Sequence, residues 1–276
     1  MEPKRVEELA SIAAEVSKDI VRMVGVARSG PLEMPLGIVD LLVYLYWEVL
    51  LILPSMPKRE DRDRFLLGIP SFSPALYAVL ARRGYFDREE LWHYRRLGAM
   101  LQAAPDFKRT PGADAPCISS ASELYIAIPL ARSLLSLAAL SQRVFCLCPM
   151  GDLKDEFFII EAKRAASEGI SNLVLLIICG ESEKIVQAEA DITEYYQDFA
   201  DYGWETSKID GHSYLGMERV FTDLDWDSKK PKVLFIKVQN IKKLSFMERS
   251  HKKTQLCMSI EEMDHALEEL EGRENE

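Results

Sequence analysis

The chain has 276 residues, 48% of them hydrophobic, and a formal net charge of −10 at pH 7. That length is enough for one large domain with its own core, and the acidic balance argues against non-specific nucleic-acid binding. Mean hydropathy is −0.08, and no apolar run approaches the roughly 20 residues of a membrane span, the longest, over residues 41–53, being broken by Glu48 and Pro54.

In chain order, residues 3–27 place Val6, Leu9, Ala10, Ala13, Ile20, Met23 and Val24 at helical spacing, and Ser29-Gly30-Pro31 ends that helix. The opening Glu2-Pro3-Lys4-Arg5 reads as the start of this helix and not as a signal peptide. A second helix is expected from about Pro35 to Leu51, followed by a charged surface connection over 58–64. Phe65-Leu66-Leu67 reads as a short strand, with helices following at 73–83 and 87–98. Residues 103–122 hold three prolines and a glycine and read as loop. Ser122 then starts a helix to about Leu140 that is apolar almost all round, with a kink expected at Pro129. Beyond Arg143 the pattern changes to strands at 144–148, 172–178, 205–209 and 232–238, alternating with helices at 156–168, 191–202 and 213–222. Strands of that composition, joined by helices, predict an α/β fold: a three-layer α/β/α arrangement around a mostly parallel sheet. The expected organisation is one domain over 1–276, with a mostly helical part over 1–140, a βα core over 141–240 and a tail over 241–276 that includes a charged helix from Ser259.

The five cysteines form no disulfide framework. Cys146 and Cys148 lie on one face of an apolar strand, about 7 Å apart along the chain, and read as buried structural thiols. Such usage fits a reducing cytoplasm.

One strand–loop–helix carries the main functional signal. The apolar run 144–148 leads to Gly151-Asp152, a polar turn, and a helix bearing Glu156 and Glu161; the next apolar run ends in Cys179-Gly180-Glu181. Elsewhere in the chain come Pro74-Ala75-Leu76-Tyr77, Arg96-Leu97-Gly98, Pro105-Asp106-Phe107-Lys108-Arg109-Thr110-Pro111-Gly112, Tyr202-Gly203-Trp204, Asp210-Gly211-His212 and Ser245-Phe246-Met247-Glu248. In order and spacing these segments, over about residues 5–270, resemble the N-terminal, thiamine-diphosphate-binding half of transketolase, in the form split into two subunits. The resemblance implies the thiamine-diphosphate-binding fold, with thiamine diphosphate and magnesium held at Gly151, Asp152, Ser119, Ser120, Glu123 and Gly180, and with Asp152 as the metal ligand. It places Glu156 near the family's cofactor and dimer interface, as a catalytic candidate or an interface residue. It further implies a homodimer, a C-terminal-half partner subunit, or both.

The departures fall in that one site. The family's Gly-Asp-Gly is Gly151-Asp152-Leu153, and its Asn metal ligand is Gly180. Three histidine motifs become Ser29-Gly30-Pro31, Gly68-Ile69-Pro70-Ser71 and Ala103-Ala104-Pro105. The glycine-rich turn that approaches the diphosphate reads Ser119-Ser120-Ala121-Ser122-Glu123-Leu124, where side chains would crowd the phosphates and Glu123 would repel them. The four histidines that remain, His93, His212, His251 and His265, read as structural. Asp152 is expected to cap the following helix, and Glu156 reads equally well as a helix N-terminal acid facing the dipole. Three readings stand. The first is a non-catalytic, assembly or regulatory subunit that has lost thiamine diphosphate and metal. The second is an active half of a split transketolase that transfers two-carbon ketol units between sugar phosphates. The third is a pocket reused for another ligand through Glu33, Ser71 and Glu123. The motif changes favour the first, with no cofactor bound.

Overall fold

The computed structural model describes residues 1–117, 122–137, 142–180, 188–238, 244–245 and 258–274. Five strands, β1 (Arg64–Leu67), β2 (Val144–Pro149), β3 (Leu173–Gly180), β4 (Glu205–Asp210) and β5 (Lys232–Val238), form one sheet in the order β1-β2-β3-β5-β4. Every pairing in it is parallel. The expected α/β architecture is the one found.

Side-chain alternation sorts the sheet into two cores. Phe145, Leu147, Val174, Leu176, Ile178, Leu234 and Ile236 pack on one face. There they meet α1 (Pro3–Ala27), α2 (Glu33–Gly37), α3 (Val39–Tyr44), α4 (Ser73–Arg82), α8 (Tyr214–Asp223) and α9 (Ile260–Glu274). Val144, Cys146, Cys148, Leu175, Ile177, Cys179, Val233 and Phe235 pack on the other, beneath α5 (Ser122–Ser136), α6 (Glu156–Ser167) and α7 (Ala188–Asp201). Because both faces are covered, β2, β3 and β5 are apolar at nearly every position, whereas the edge strand β4 is largely polar.

Two expected helices differ. The segment 35–51 breaks into α2, α3 and a π-helical turn, Leu45–Val49, because Pro35 and Gly37 disrupt the first turns and the chain is buried on most sides. The segment 87–98 is a 3-10 turn, Arg88–His93, followed by a tight reversal with positive φ at Arg95 and Gly98. The tail helix starts with a capping box: Ser259 Oγ accepts from Glu262 N at 3.1 Å, and Glu262 Oε2 accepts from Ser259 N at 2.8 Å.

Buried ion pairs fix the amino ends of β1 and β2. Asp63, 1% exposed, accepts hydrogen bonds from Leu51 N (2.9 Å), Arg143 N (2.8 Å), Arg143 Nε (3.1 Å) and Arg143 Nη2 (2.6 Å). Arg62 pairs with Asp114, whose Oδ2 also accepts from Phe65 N at 2.9 Å. Asp19 on α1 is fully buried between Arg82 and Arg88.

Candidate functional site

β2 and β3 run side by side, with Pro149 opposite Ile178, so Gly151 and Gly180 leave the same carboxyl edge of the sheet. Ligands of open α/β sheets bind at that edge. Gly151, Asp152 and Leu153 form a 3-10 turn, Met150–Lys154, between β2 and α6. Gly151 is exposed, whereas Asp152 is 5% and Leu153 2% exposed. Leu153 inserts into the core under α5 and α6.

Asp152 does not cap α6, against the sequence expectation. Asp155 does: its Oδ1 accepts from Phe157 N at 2.8 Å and from Phe158 N at 3.4 Å. The 3-10 turn uses up the residues that a direct exit would have given to the helix, and so moves the cap three positions on. Glu156 is exposed in the first turn of α6, beside the exposed ring of Phe157. Glu161 is buried and pairs with Arg164 at 2.9 Å.

Glu123 lies in the first turn of α5 and is fully buried. Cys146 and Cys148 share a face as expected, and their Sγ atoms are 3.6 Å apart. That contact and burial push the Cys148 thiol far above its usual range, and the nearby Asp152 and Glu123 carboxylates add to the shift. Burial, reinforced by Glu123, pushes Cys117 up to about 12. The fold therefore brings Glu123 and Asp152 within electrostatic reach of Cys148, and Glu123 within reach of Cys117. A helix N-terminus favours an anion; at α5 the chain supplies one of its own, the Glu123 carboxylate. At β3 the neighbouring position is Gly180, which has no side-chain donor. A metal-bound diphosphate needs several hard oxygen ligands and room for its own charge. Among the described residues of this edge, the oxygen donors are the Asp152 carboxylate, on a turn filled by Leu153, and the buried Glu123 carboxylate.

Ser119, Ser120, Glu181 and His251 lie outside the described residues. His93 and His265 are exposed. His212 does more than lead into α8. Ser213 is the cap, accepting from Gly216 N at 3.1 Å, while His212 Nδ1 lies 2.8 Å from Asp40 Oδ2 on α3. Tyr214 Oη donates to Asp40 Oδ1 at 3.1 Å. Sequence reading missed Asp40, Asp63, Asp114 and Cys117. Asp40 alone carried a signal, as an isolated acid inside an apolar run; Asp63 lies in a charged run, and Asp114 and Cys117 lie in the proline-rich loop.

Residues 9–244 match the family model described as transketolase, thiamine diphosphate binding domain. The chain belongs to that family. It is 24% identical to one of the subunits of the apulose-4-phosphate transketolase of Phocaeicola vulgatus, the alignment covering 98% of this chain and 96% of that one. It is 27% identical to the 6-deoxy-6-sulfo-D-fructose transketolase subunit SqwG of a Clostridium species, over 95% of this chain and 94% of that one. Among solved structures, transketolase from Leishmania mexicana superposes with a TM-score of 0.81 at 17% identity, covering 97% of this chain and 44% of its own. The transketolase diphosphate-binding fold is thus present along the whole chain, while the site at its carboxyl edge has the altered residues described above.

Proposed function

We propose that this protein is the N-terminal subunit of a two-part, transketolase-type assembly, and that its own site has lost thiamine diphosphate and metal, leaving a non-catalytic, assembly or regulatory role. The observation that carries this reading is the buried Glu123 carboxylate at the start of α5, which like Asp152 bears on the Cys148 thiol, with Leu153 filling the turn. Binding a diphosphate there would bring further negative charge beside carboxylates already out of water, which is costly without added cations.

The assembly half of the proposal rests on the outer faces of α5 and α6. Leu124, Ala127, Ile128, Ala131 and Leu134 bury one side of α5. Tyr125 (42%), Phe157 (66%) and Ile160 (55%) remain exposed on the two helices, as does Leu137 (62%) just past the end of α5. Exposed large apolar groups on neighbouring helices are a feature of interaction surfaces. The chain is expected to pair there with a second copy, with a C-terminal-half subunit, or with both, burying more than about 1,000 Å².

A second reading, an active half of a split transketolase, draws support from the two full-length relatives named as transketolase subunits. Calorimetric titration with thiamine diphosphate and magnesium separates the two. It is done on the chain alone and on the chain mixed with a C-terminal-half subunit. No saturable heat is expected in either sample; micromolar, magnesium-dependent binding by the pair overturns the first reading in favour of the second.

A further inference from the structure

The chain reversal after the 3-10 turn Arg88–His93 presents a leucine wholly to solvent. Leu97 sits at its tip, between Arg95 (φ 61°) and Gly98 (φ 81°), both in the left-handed region. Glycine adopts that region freely, whereas an arginine there is strained. The reversal is nevertheless tightly held. Arg95 N donates to Leu101 O at 2.8 Å, Arg96 N to His93 O at 3.0 Å and Ala99 N to Arg96 O at 3.1 Å. The Gln102 side-chain amide donates to Arg96 O and to Ala99 O, both at 2.9 Å, and Arg95 Nη1 donates to Ser29 Oγ at 2.6 Å. A second turn follows over 106–110, where Thr110 N donates to Asp106 O at 2.7 Å. Arg109 Nη2 ties the two turns together by donating to Gly98 O at 2.7 Å. The second turn carries Phe107, 46% exposed.

The same surface is cationic. Residues 93–112 hold Arg95, Arg96, Lys108 and Arg109 against a single acid, Asp106, in a chain of net charge −10. Asp106 closes its own turn, its Oδ1 accepting from Lys108 N at 2.9 Å. Arg96, Lys108 and Arg109 are exposed. Among the described residues Arg96 and Lys108 form no ion pair, and Lys108 Nζ lies 5.8 Å from the centre of the Phe107 ring. One exposed leucine is ordinary. A leucine held at the tip of a strained, cross-linked turn, beside a half-exposed phenylalanine and unpaired cations, has the make-up of a preformed binding point. Both turns fall in segments, Arg96-Leu97-Gly98 and Pro105 to Gly112, where the chain keeps the transketolase pattern, while the positions at the carboxyl edge depart from it. A surface retained apart from the altered cofactor positions fits assembly.

We propose that this double turn docks the C-terminal-half subunit, with Leu97 and Phe107 entering an apolar pocket of that partner rimmed by carboxylates that pair with Arg96, Lys108 and Arg109. The inference rests on the assembly reading above and gives the pair a second contact, apart from the apolar faces of α5 and α6. Local cations on an acidic chain steer an acidic patch of the partner to this surface and repel the same patch elsewhere. A second copy suits the turn less well, since it sets a net charge of −10 against −10.

The test is calorimetric titration of the full chain with the C-terminal-half subunit, at about 50 and 300 mM salt. Leu97→Ala is expected to weaken binding about tenfold or more, as for an interface anchor. Arg96→Glu with Lys108→Glu is expected to weaken it at 50 mM salt and to remove most of the difference between the two salt concentrations. Leu215→Ala, exposed on α8, should bind as the wild type does. All three variants should melt with the wild type, because the side chains changed are exposed. Failure of the wild-type chain to bind the C-terminal half overturns the assembly reading and this proposal together. Binding by the wild type that Leu97→Ala and the double charge reversal leave within twofold overturns this proposal alone. Light scattering on the chain without its partner covers the other occupant: self-association lost in the Leu97 variant, with partner binding unchanged, assigns the turn to a second copy and likewise overturns the proposal.

Discussion

Asp63 offers the sharpest test of how the amino-terminal edge of the sheet is held. Its carboxylate takes four hydrogen bonds, two from backbone amides and two from the Arg143 guanidinium, while its own amide donates to Leu51 O at 2.9 Å. One side chain thus ties the segment before β1 to the residue before β2. Replacing Asp63 with Ala leaves the Leu51 and Arg143 amides without that acceptor and a guanidinium without its carboxylate. Removing one partner of a buried pair costs about 3–5 kcal/mol. Arg143 is 23% exposed, keeps its bond to Val49 O at 2.6 Å and stacks on Trp226, so the lower end applies and the expected loss for Asp63→Ala is about 3 kcal/mol. Asp63→Asn retains one acceptor oxygen and is expected to lose about 2 kcal/mol. Equilibrium unfolding in guanidinium chloride reads both values, provided the m-value is unchanged. In a double-mutant cycle Arg143→Met should cost much less in the Asp63→Ala background than in the wild type. A loss below about 1 kcal/mol for Asp63→Ala, or strictly additive effects, would refute the reasoning, since both require the clamp to be solvated or slack.

Three further outcomes follow from the site and its surroundings. Asp155→Ala should lower stability by about 1 kcal/mol through loss of the α6 cap, whereas Asp152→Ala should leave the helix start intact; hydrogen exchange at the Phe157 and Phe158 amides distinguishes them, and faster exchange in Asp152→Ala alone reverses the assignment. Cys117 and Cys179, both pushed up to about 12 by burial, carry very little thiolate at pH 8, and Cys146 and Cys148 are fully buried; iodoacetamide should leave all four unmodified in the native protein and label them in denaturant, as read by peptide mass mapping. Phe157→Asp with Ile160→Asp should abolish association measured by light scattering while leaving the melting temperature nearly unchanged, because both side chains are exposed in the single chain; association that survives the pair of charges places the interface elsewhere.

The sheet was legible because its strands are buried on both faces. Continuous β-branched and leucine-rich runs bounded by helical periods left little choice of element at 144–148, 172–178 and 232–238, and a parallel sheet follows from the helices between them. The helix at 3–27 was equally plain, since one apolar stripe continues through its length. Legibility failed where burial is even and the backbone departs from α geometry. Residues 33–49 are apolar nearly throughout, so periodicity could not show that Pro35 and Gly37 divide them. At the site, spacing placed Asp152 just ahead of an apolar helix, an apparent cap; the 3-10 turn that hands the role to Asp155 leaves no mark in composition. The Asp63 clamp was hidden because a carboxylate in a charged run reads as solvated surface until the strand order puts Arg143 beside it.

On the proposed reading, in which the site has lost its cofactor, the changes at the carboxyl edge also bear on why the fold would be retained. A turn that approaches a diphosphate needs small residues and tolerates empty volume beside charge. Here the second glycine of that turn is Leu153, which is 2% exposed and joins the core under α5 and α6. Burying a leucine is worth about 1.5–3 kcal/mol relative to leaving it exposed. The substitution that closes the turn therefore adds to the core. Elsewhere the two cores consist of residues on strand faces and helix stripes. Active sites commonly hold strain or unfilled space that lowers stability, and removing the functional requirement removes that penalty. Glu123 runs the other way, since a fully buried carboxylate is costly unless its surroundings stabilise it. Its place in the first turn of α5 offers a helix dipole as partial compensation. Leucine in the turn and glutamate at the helix start thus have opposite effects on stability, but both oppose a second anion between them.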